Sequence, residues 1–259
     1  MTKKHMTSQT GALPMNPGDI DIFKQNLFTM LRKQGLIIVG GIATMLAAWV
    51  IAANALRLDV TFASRSALLG SAPILLFGIF YPLLTSHQDK RRIFIVSWFL
   101  VATFFNVVWE MPQVLFIDLF HEANQNISLE KLPYFIAWWG YTTSDLDYLN
   151  TTRYFILAEV SFWIINLLSF VGIYHILRGH ELKAMLWFGA CATMQIYNVI
   201  CIFIPHGIIV EQGRNIARDS VLADAAFWIM NLMWVLASSA VLFLAYRRVF
   251  ELYKSRNNT

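Results

Sequence analysis

Charged residues are scarce in this chain: they make up 14% of its 259 residues, whereas hydrophobic residues make up 57%. Soluble domains usually carry about 25% charged residues. The apolar runs also follow one another so closely that no separate soluble domain fits between them. The basic residues cluster at the ends of those runs, so the net charge of +4 does not indicate a nucleic-acid partner. The composition therefore predicts a polytopic membrane protein.

Cysteine is nearly absent as well: Cys191 and Cys201 are the only two, and both lie in one apolar run. The sequence contains no Cys-x-x-Cys motif and no His-rich tract, so it indicates neither a disulfide framework nor a metal site. We interpret both thiols as small core residues. We expect the protein to work without a metal or another cofactor.

The first 35 residues are predicted to form a tail and a surface helix. Residues Met1–Pro17 combine Gly, Pro, Ser and Lys, a composition typical of disorder. Between Asp19 and Lys33 the apolar residues form one stripe, with basic residues on the polar side. The stripe consists of Ile20, Phe23, Leu27, Phe28 and Leu31. This pattern favours a helix lying on the membrane surface; a linker facing water is the alternative.

Six apolar segments approach the length of about 20 residues that a helix needs to cross a bilayer. They are Leu36–Leu56, Ala67–Leu84, Ile93–Leu119, Tyr154–Leu177, Met185–Ile204 and Ala225–Tyr246. The first is longer than a signal-peptide core and begins late, so we expect it to be retained. The predicted fold is an all-α membrane bundle of about six helices. Its parts are an extra span with its loop at 36–66, a five-helix domain at 67–250 and a tail at 251–259.

Three prolines fall inside or at the ends of the predicted spans: Pro73, Pro82 and Pro112. A proline in a membrane helix leaves a backbone carbonyl without its helical donor. Such kinks are tolerated where a neighbouring group satisfies the freed carbonyl.

The distribution of Lys and Arg predicts the orientation, because cytoplasmic loops carry an excess of basic residues. With the N-terminus in the cytoplasm, the inside segments hold fourteen of them and the outside loops hold six. This bias places both termini in the cytoplasm.

The longest loop, His121–Arg153, is acidic and aromatic, and on this topology it lies outside. Its acidic residues are Glu122, Glu130, Asp145 and Asp147, and they flank the segment LPYFIAWWGY. Trp138, Trp139 and Tyr141 are typical of an aromatic belt at the membrane interface. A lid over a cavity is the alternative.

The stretch Trp98–Asp118 is apolar enough to cross a bilayer, yet it carries Asn106, Glu110 and Gln113. Their spacings of four and three residues put all three on one helical face. An ionisable group at membrane depth costs about 2.5–3.5 kcal/mol on the insertion scale, so it normally faces protein or a wet cavity and marks function. Glu110 is therefore expected to have polar partners on other helices.

Depth along each span indicates those partners. At about 1.5 Å per residue, Glu110 lies about 25 Å above the cytoplasmic edge of a core about 30 Å thick. Glu159 and Asn231 lie about 8–9 Å below the outer edge, and Gln195 and Asn198 about 15–20 Å above the inner edge. Four spans thus bring carboxylates and amides into the outer half of the bilayer.

The polar residues have aromatic companions at helical spacing. Glu159 is followed by Phe162, Trp163 and Asn166, and Asn231 is followed by Trp234. For Asn166 we favour interhelical hydrogen bonding, which is worth about 0.6–2 kcal/mol. For the two glutamates we favour function, because an amide would hold helices together without an ionisation cost.

Two carboxylates in an apolar pocket repel each other, so one of them is expected to stay protonated near neutral pH. A neutral acid beside a carboxylate base can protonate an alkene and remove a proton from the neighbouring carbon. Indole rings around them would stabilise the intermediate carbocation. The same pocket would bind a lipophilic amine, whose ammonium group resembles that cation.

Three segments of the chain resemble the EXPERA superfamily, and within it the sterol Δ8–Δ7 isomerases of the emopamil-binding-protein type. WFLVATFFNVVWE at 98–110 resembles the family helix in which Trp-Phe precedes a glutamate. ILAEVSFWI at 156–164 resembles its Met-Glu-Thr helix. QIYNV at 195–199 and FWIMNLMW at 227–234 resemble its Gln-Ile-Tyr-Gly-Asp and Met-Asn-x-x-Trp signatures. The matched region runs from about Ala67 to Tyr246, and the segment at 36–56 is additional to the usual five helices.

The resemblance implies a role for each matched residue. Glu110 and Glu159 would be the acid and base, Asn231 an orienting amide and Trp234 the ring beneath the cation. The isomerases place a His one turn before the first glutamate, where this chain has Asn106, which cannot shuttle a proton. The family's Gly-Asp is Asn198–Val199 here. The candidate substrate-binding residues are Trp109, Gln113, Phe162, Trp163, Gln195, Tyr197, Asn198 and Trp234.

Two hypotheses of function follow. The first is an intramembrane isomerase that shifts a double bond in a sterol or related polycyclic isoprenoid, with amphiphilic amines as inhibitors. The second is a non-catalytic sterol-binding or lipid-trafficking protein. A proton-coupled transporter finds no support, since the segment order shows no inverted repeat. The expected partners are the isoprenoid and membrane lipid, and a homodimer is retained as a candidate assembly. The expected location is the endoplasmic reticulum in a eukaryote or the inner membrane in a bacterium.

Overall fold

The computed structural model describes residues 17–144, 153–209 and 221–257, and every regular element in these ranges is helical. The α-helices are α1 (Pro17–Gly35), α2 (Gly41–Leu56), α3 (Val60–Leu84), α4 (Lys90–Phe105), α5 (Met111–Leu115), α6 (Ile117–Gln125), α7 (Leu132–Thr142), α8 (Arg153–Leu177), α9 (Glu181–Ile209) and α10 (Val221–Asn257). Two π-helical turns join α1 to α2 and α4 to α5, at Leu36–Gly40 and Asn106–Glu110. The all-α prediction is confirmed.

Six of the described helical segments are long and apolar enough to cross a membrane, as the sequence predicted. They are Gly18–Leu56, Val60–Leu84, Lys90–Leu115, Ile156–Leu177, Glu181–Cys201 and Asp224–Ser255. The chain is therefore a multi-pass membrane protein built as a helical bundle. Its main core lies among α3, α4, α8, α9 and α10. There the rings of Phe99 and Phe188 are fully buried and stack with their centroids 5.4 Å apart.

Short connections end the helices with recognisable caps. Asp59 precedes α3, and its carboxylate accepts a hydrogen bond from the backbone N–H of Phe62 at 2.8 Å. This is the usual way in which an aspartate satisfies the first free N–H groups of a helix. Gly179 has a φ of 77° after α8, a backbone conformation that glycine adopts without steric cost. The tight turns keep consecutive spans beside each other.

The amphipathic stretch at the N-terminus continues directly into the first span. Gly35 and Gly41, at the two ends of the π-helical turn, both have right-handed helical dihedral angles, so helix runs without a break from Gly18 to Leu56. Phe23, Leu27 and Met30 are buried in the main core. Protein therefore covers Phe23 and Leu27 of the stripe, whereas Phe28 is 74% exposed. With 39 residues, the helix is about 58 Å long and exceeds the thickness of the hydrocarbon core.

A side chain of this first helix compensates for a proline in α3. Pro82 has no N–H group, so the carbonyl of Gly78, four residues earlier, loses its helical donor. The buried amide of Gln34 donates to that carbonyl, with Nε2 and the oxygen 3.0 Å apart. The helices approach closely here, because a Cβ on Gly78 would lie 2.3 Å from Cγ1 of Ile38.

The described part of the long loop after the third span folds into α6 and α7. Helix α7 packs tightly on α3: a Cβ on Gly140 would lie 2.4 Å from the backbone oxygen of Ser64. Leu132 and Trp139 are completely buried by this contact. At 11 residues α7 is too short to cross a bilayer. The acidic residues Asp145 and Asp147 lie outside the described residues.

Candidate functional site

The segment that carries Glu110 adopts an uncommon backbone form. Residues Asn106–Glu110 form a single π-helical turn, in which the N–H of Met111 donates to the carbonyl of Asn106, five residues back. Pro112 follows directly, and its ring would crowd the carbonyl of Val108 in a regular α-helix. We attribute the wider turn to this crowding. Such turns occur often at functional sites.

The π-helical turn directs the polar side chains of this segment into the bundle. Asn106 and Gln113 are 3% and 6% exposed, whereas Val107 and Val108 are about half exposed. Glu110 is half-buried. The three polar residues therefore face inward together, as the helical spacing predicted.

Glu110 meets Glu159 of α8 inside the bundle. The two carboxyl groups are within hydrogen-bond distance of each other. Glu159 is 4% exposed, and Oε2 of Glu110 is buried without a hydrogen-bond partner among the described residues. A hydrogen bond between two carboxyl groups needs a proton on one of them, because two bare carboxylates have no donor to share. Two such groups can share one proton, with one carboxyl group as the donor and the other as the acceptor.

A cavity of about 780 Å³ opens beside this pair. This volume includes the open space at the mouth of the cavity. Most of its lining is apolar, and Glu110 is the one charged side chain among the described lining residues. Trp98, Trp109 and Trp234 contribute aromatic walls. The arrangement is an apolar chamber with one carboxyl group in its wall.

The aromatic walls are held by contacts with other rings. Trp234 meets Trp98 edge-on, with centroids 5.1 Å apart, and Phe162 of α8 lies 6.3 Å from the same ring. Trp109 stacks on Trp138 of α7 at 5.2 Å, with the ring planes 13° apart. The indole faces are therefore fixed by the bundle around the cavity.

Helix α7 closes one side of the cavity. Ala137 and Tyr141 belong to the lining, and the hydroxyl of Tyr141 donates to Oδ1 of Asn231 at 3.2 Å. Nδ2 of Asn231 donates to the carbonyl of Phe227 within its own helix. Asn231, predicted as an orienting amide, therefore holds Tyr141 in the cavity wall. The first helix closes another side through Ile42 and Leu46.

A chain of buried amides starts at Asn106 and crosses the bundle. Asn166 donates to Asn106 and accepts a hydrogen bond from Gln195, whose Nε2 lies 2.7 Å from Oδ1 of Asn166. Oε1 of Gln195 in turn accepts from Trp98 at 3.0 Å and from Ser238 at 2.8 Å. These bonds link α4, its π-helical turn, α8, α9 and α10. The amides hold the helices together around the site.

The remaining candidate residues differ in their contacts and in their distance from the Glu110–Glu159 pair. Asn198 donates to the carbonyl of Ala158 at 3.1 Å, next to Glu159 in the chain. Both amide atoms of Gln113 and Nε1 of Trp163 are buried without a hydrogen-bond partner among the described residues. Tyr197 is 70% exposed on the outer face of α9 and does not belong to the cavity lining.

The structure brings Glu110, Trp109 and Trp234 to the cavity, with Glu159, Phe162 and Asn231 in contact with lining residues. Gln195 and Asn198 instead form hydrogen bonds between helices. Trp98, Tyr141 and Asn166 were not among the candidate site residues predicted from the sequence. Signals were present for all three: Trp98 belongs to the quoted 98–110 motif, Tyr141 to the candidate lid, and Asn166 lies two turns after Glu159 on the same helical face.

Among the described residues, no group of three or more His, Cys, Asp or Glu side chains is placed to hold a metal ion. Cys191 and Cys201 are free thiols. The carboxyl pair next to aromatic faces is suited to proton transfer.

Comparison with known proteins gives no relative for this chain: no protein-family model, no curated protein and no solved structure matches it. The likeness to the EXPERA superfamily rests on the quoted motifs alone.

Proposed function

We propose that this protein is an intramembrane isomerase that moves a carbon–carbon double bond in a sterol or a related polycyclic isoprenoid. The observation that carries the proposal is the Glu110–Glu159 contact beside an aromatic, apolar cavity. The motif resemblance to the sterol isomerases favours the same class of reaction. The distribution of basic residues favours both termini in the cytoplasm. The proposed membrane is the endoplasmic reticulum in a eukaryote or the inner membrane in a bacterium.

The proposed reaction needs one proton to enter and one to leave. The protonated carboxyl group donates its proton to one alkene carbon, and the π electrons form the new C–H bond. The neighbouring carbon becomes a cation. A carboxylate then removes a proton from the next carbon, and that C–H electron pair forms the shifted double bond. The substrate is neither oxidised nor reduced, and the carboxyl pair recovers its proton.

The two glutamates have different positions in this scheme. Glu110 belongs to the cavity lining, so it would contact the substrate in both transfers. Glu159 is buried against it and would take up and return the shared proton. General acid–base catalysis of this kind is typically worth about 10²–10⁴-fold in rate.

The carbocation would be stabilised by the ring of Trp234. A cation over an indole face gains about 2 kcal/mol or more when water is excluded. Contacts with Trp98 and Phe162 hold the ring in place, so little reorganisation is needed when the charge forms. An amphiphilic amine would occupy the same position as an inhibitor.

One observation favours the second candidate function, a sterol-binding or lipid-trafficking protein without turnover. Asn106 stands where the isomerases have a histidine, and it is 3% exposed and tied to Asn166. An amide at this position cannot carry a proton. In this alternative the cavity binds the isoprenoid and the glutamate pair fixes its polar group.

Turnover in heavy water tests the proposal. Purified protein in detergent is incubated with a Δ8-sterol in D₂O. The products are separated by chromatography, and their masses are measured by mass spectrometry. The proposed reaction gives an isomer that carries one solvent deuterium. Binding of the sterol without isomer formation would support the second candidate. Absence of both binding and turnover would contradict both.

A further inference from the structure

A second pocket lies at the opposite end of the bundle from the long loop, at the ends of α4, α9 and α10. It measures about 250 Å³. Four arginines and one glutamate contribute its charged lining: Arg91, Arg92, Arg247, Arg248 and Glu251. None of these residues belongs to the cavity around Glu110.

Two of the four arginines are firmly paired. Glu181, which is 6% exposed, accepts hydrogen bonds from Arg92 at 2.5 and 3.0 Å and from Arg248 at 2.8 and 3.0 Å. This carboxylate therefore joins α9 to both α4 and α10. Arg92 and Arg248 act mainly as a clamp between helix ends.

The other two arginines share a single carboxylate. Arg247 bonds Glu251 through Nε at 3.1 Å, while Arg91 comes no closer to it than 3.7 Å, beyond hydrogen-bond distance. Glu251 also accepts from Arg248 at 3.1 Å. A guanidinium group has five N–H donors, and even a bidentate carboxylate accepts from only two of them. Arg91 and Arg247, each about half exposed, thus retain donors for another acceptor.

The pocket changes from charged to apolar along the helix axes. Its apolar lining residues are Ile95, Met185 and Leu244. Ile95 lies one helical turn inward of Arg91, and Leu244 lies one turn inward of Arg248. A molecule with an anionic group and an attached apolar chain matches this gradient. An inorganic anion would use only the outer half.

We propose that this pocket binds the phosphate of an anionic membrane phospholipid. The phosphate would sit between Arg91 and Arg247, with the first acyl carbons against Ile95 and Leu244. Basic pockets between membrane helices on the cytoplasmic side are known to accept anionic headgroups. The proposal is independent of the reaction at Glu110.

Native mass spectrometry of delipidated full-length protein tests the site. Phosphatidylglycerol and phosphatidylcholine with identical acyl chains are titrated in turn. Each basic residue near a membrane surface contributes to the affinity for anionic lipid. The double substitution Arg91→Gln with Arg247→Gln should therefore weaken phosphatidylglycerol binding by about tenfold or more. Arg32→Gln with Lys33→Gln removes the same charge from exposed positions outside the pocket and should leave binding unchanged.

Each other outcome overturns the proposal. Equal affinity of the two lipids would show that the headgroup charge is not recognised. An equal loss in both double variants would show that only overall charge matters. Full competition by inorganic phosphate would identify a soluble anion as the ligand. Arg91 and Arg247 do not bond to Glu181, so we expect both double variants to keep the melting temperature of the wild type. Unchanged melting temperatures then show that a loss of binding is not caused by unfolding.

Discussion

The carboxyl groups of Glu110 and Glu159 lie within hydrogen-bond distance of each other although they come from different spans. The π-helical turn at Asn106–Glu110 delivers the first of them to the cavity wall. The regular helix α8 supplies the second. Two carboxyl groups are thereby placed together next to three indole rings.

The ring of Trp234 should matter more for cations than for neutral ligands. Trp234→Leu keeps apolar bulk but removes the aromatic quadrupole, so affinity for an amphiphilic tertiary amine should fall by about 30-fold, as expected for about 2 kcal/mol. Affinity for a neutral sterol should fall much less. Competition binding with a labelled amine and a labelled sterol measures both. Trp228→Leu, at an exposed position of the same helix, serves as the control. Equal losses for the two ligands would mean that the ring only fills space.

The Gln34–Gly78 hydrogen bond should stabilise the fold because Pro82 makes it necessary. Gln34→Met leaves a buried carbonyl without a donor, which typically costs about 1–3 kcal/mol. In a Pro82→Ala background the new N–H can satisfy that carbonyl, so the same substitution should cost much less. Unfolding of the protein in mixed micelles gives the double-mutant cycle. Gln25→Met, at an exposed position of α1, should have little effect in either background. Additive costs would refute the compensation.

The predicted topology places the long loop and the C-terminus on opposite sides of the membrane. Single cysteines at Ser128, between α6 and α7, and at Ser255, near the end of α10, should react from opposite sides with an impermeant maleimide. The background lacks Cys191 and Cys201. Labelling of both positions from the same side would overturn the orientation, and with it the depths assigned to the polar residues.

The apolar runs were sufficient to predict the spans. In a bilayer the backbone N–H and C=O groups of about 20 consecutive apolar residues can form their hydrogen bonds in only a few ways, and the α-helix is one of them. The predicted span at 154–177 differs by one residue from α8, and Leu56 ends both the predicted and the observed first span. The meeting of Glu110 with Glu159 also followed from depth, since both had to find polar partners in one slab of the bundle.

Other features depend on contacts that a sequence does not reveal. The course of α1 is decided by the apolar surface of α3 and α4, which buries Phe23, so a stripe alone could not distinguish protein from lipid. The role of Tyr141 depends on the close approach of Gly140 to α3. Tyr197 lies outside the bundle because its position next to Gln195 and Asn198 turns it to the opposite face of α9.

The carboxyl pair is the central claim, and the isomerisation rate of glutamine variants tests it most directly. Glu110→Gln and Glu159→Gln keep shape and hydrogen bonding but remove the titrating proton, so each should lower turnover of a Δ8-sterol by about 10²–10⁴-fold while the protein stays folded. Glu122→Gln, at an exposed position of α6, should retain full activity. The measurement is deuterium incorporation from D₂O into the isomerised sterol, with melting temperature as the check on folding. A folded double variant of Glu110 and Glu159 that still isomerises the sterol at the wild-type rate would contradict the account.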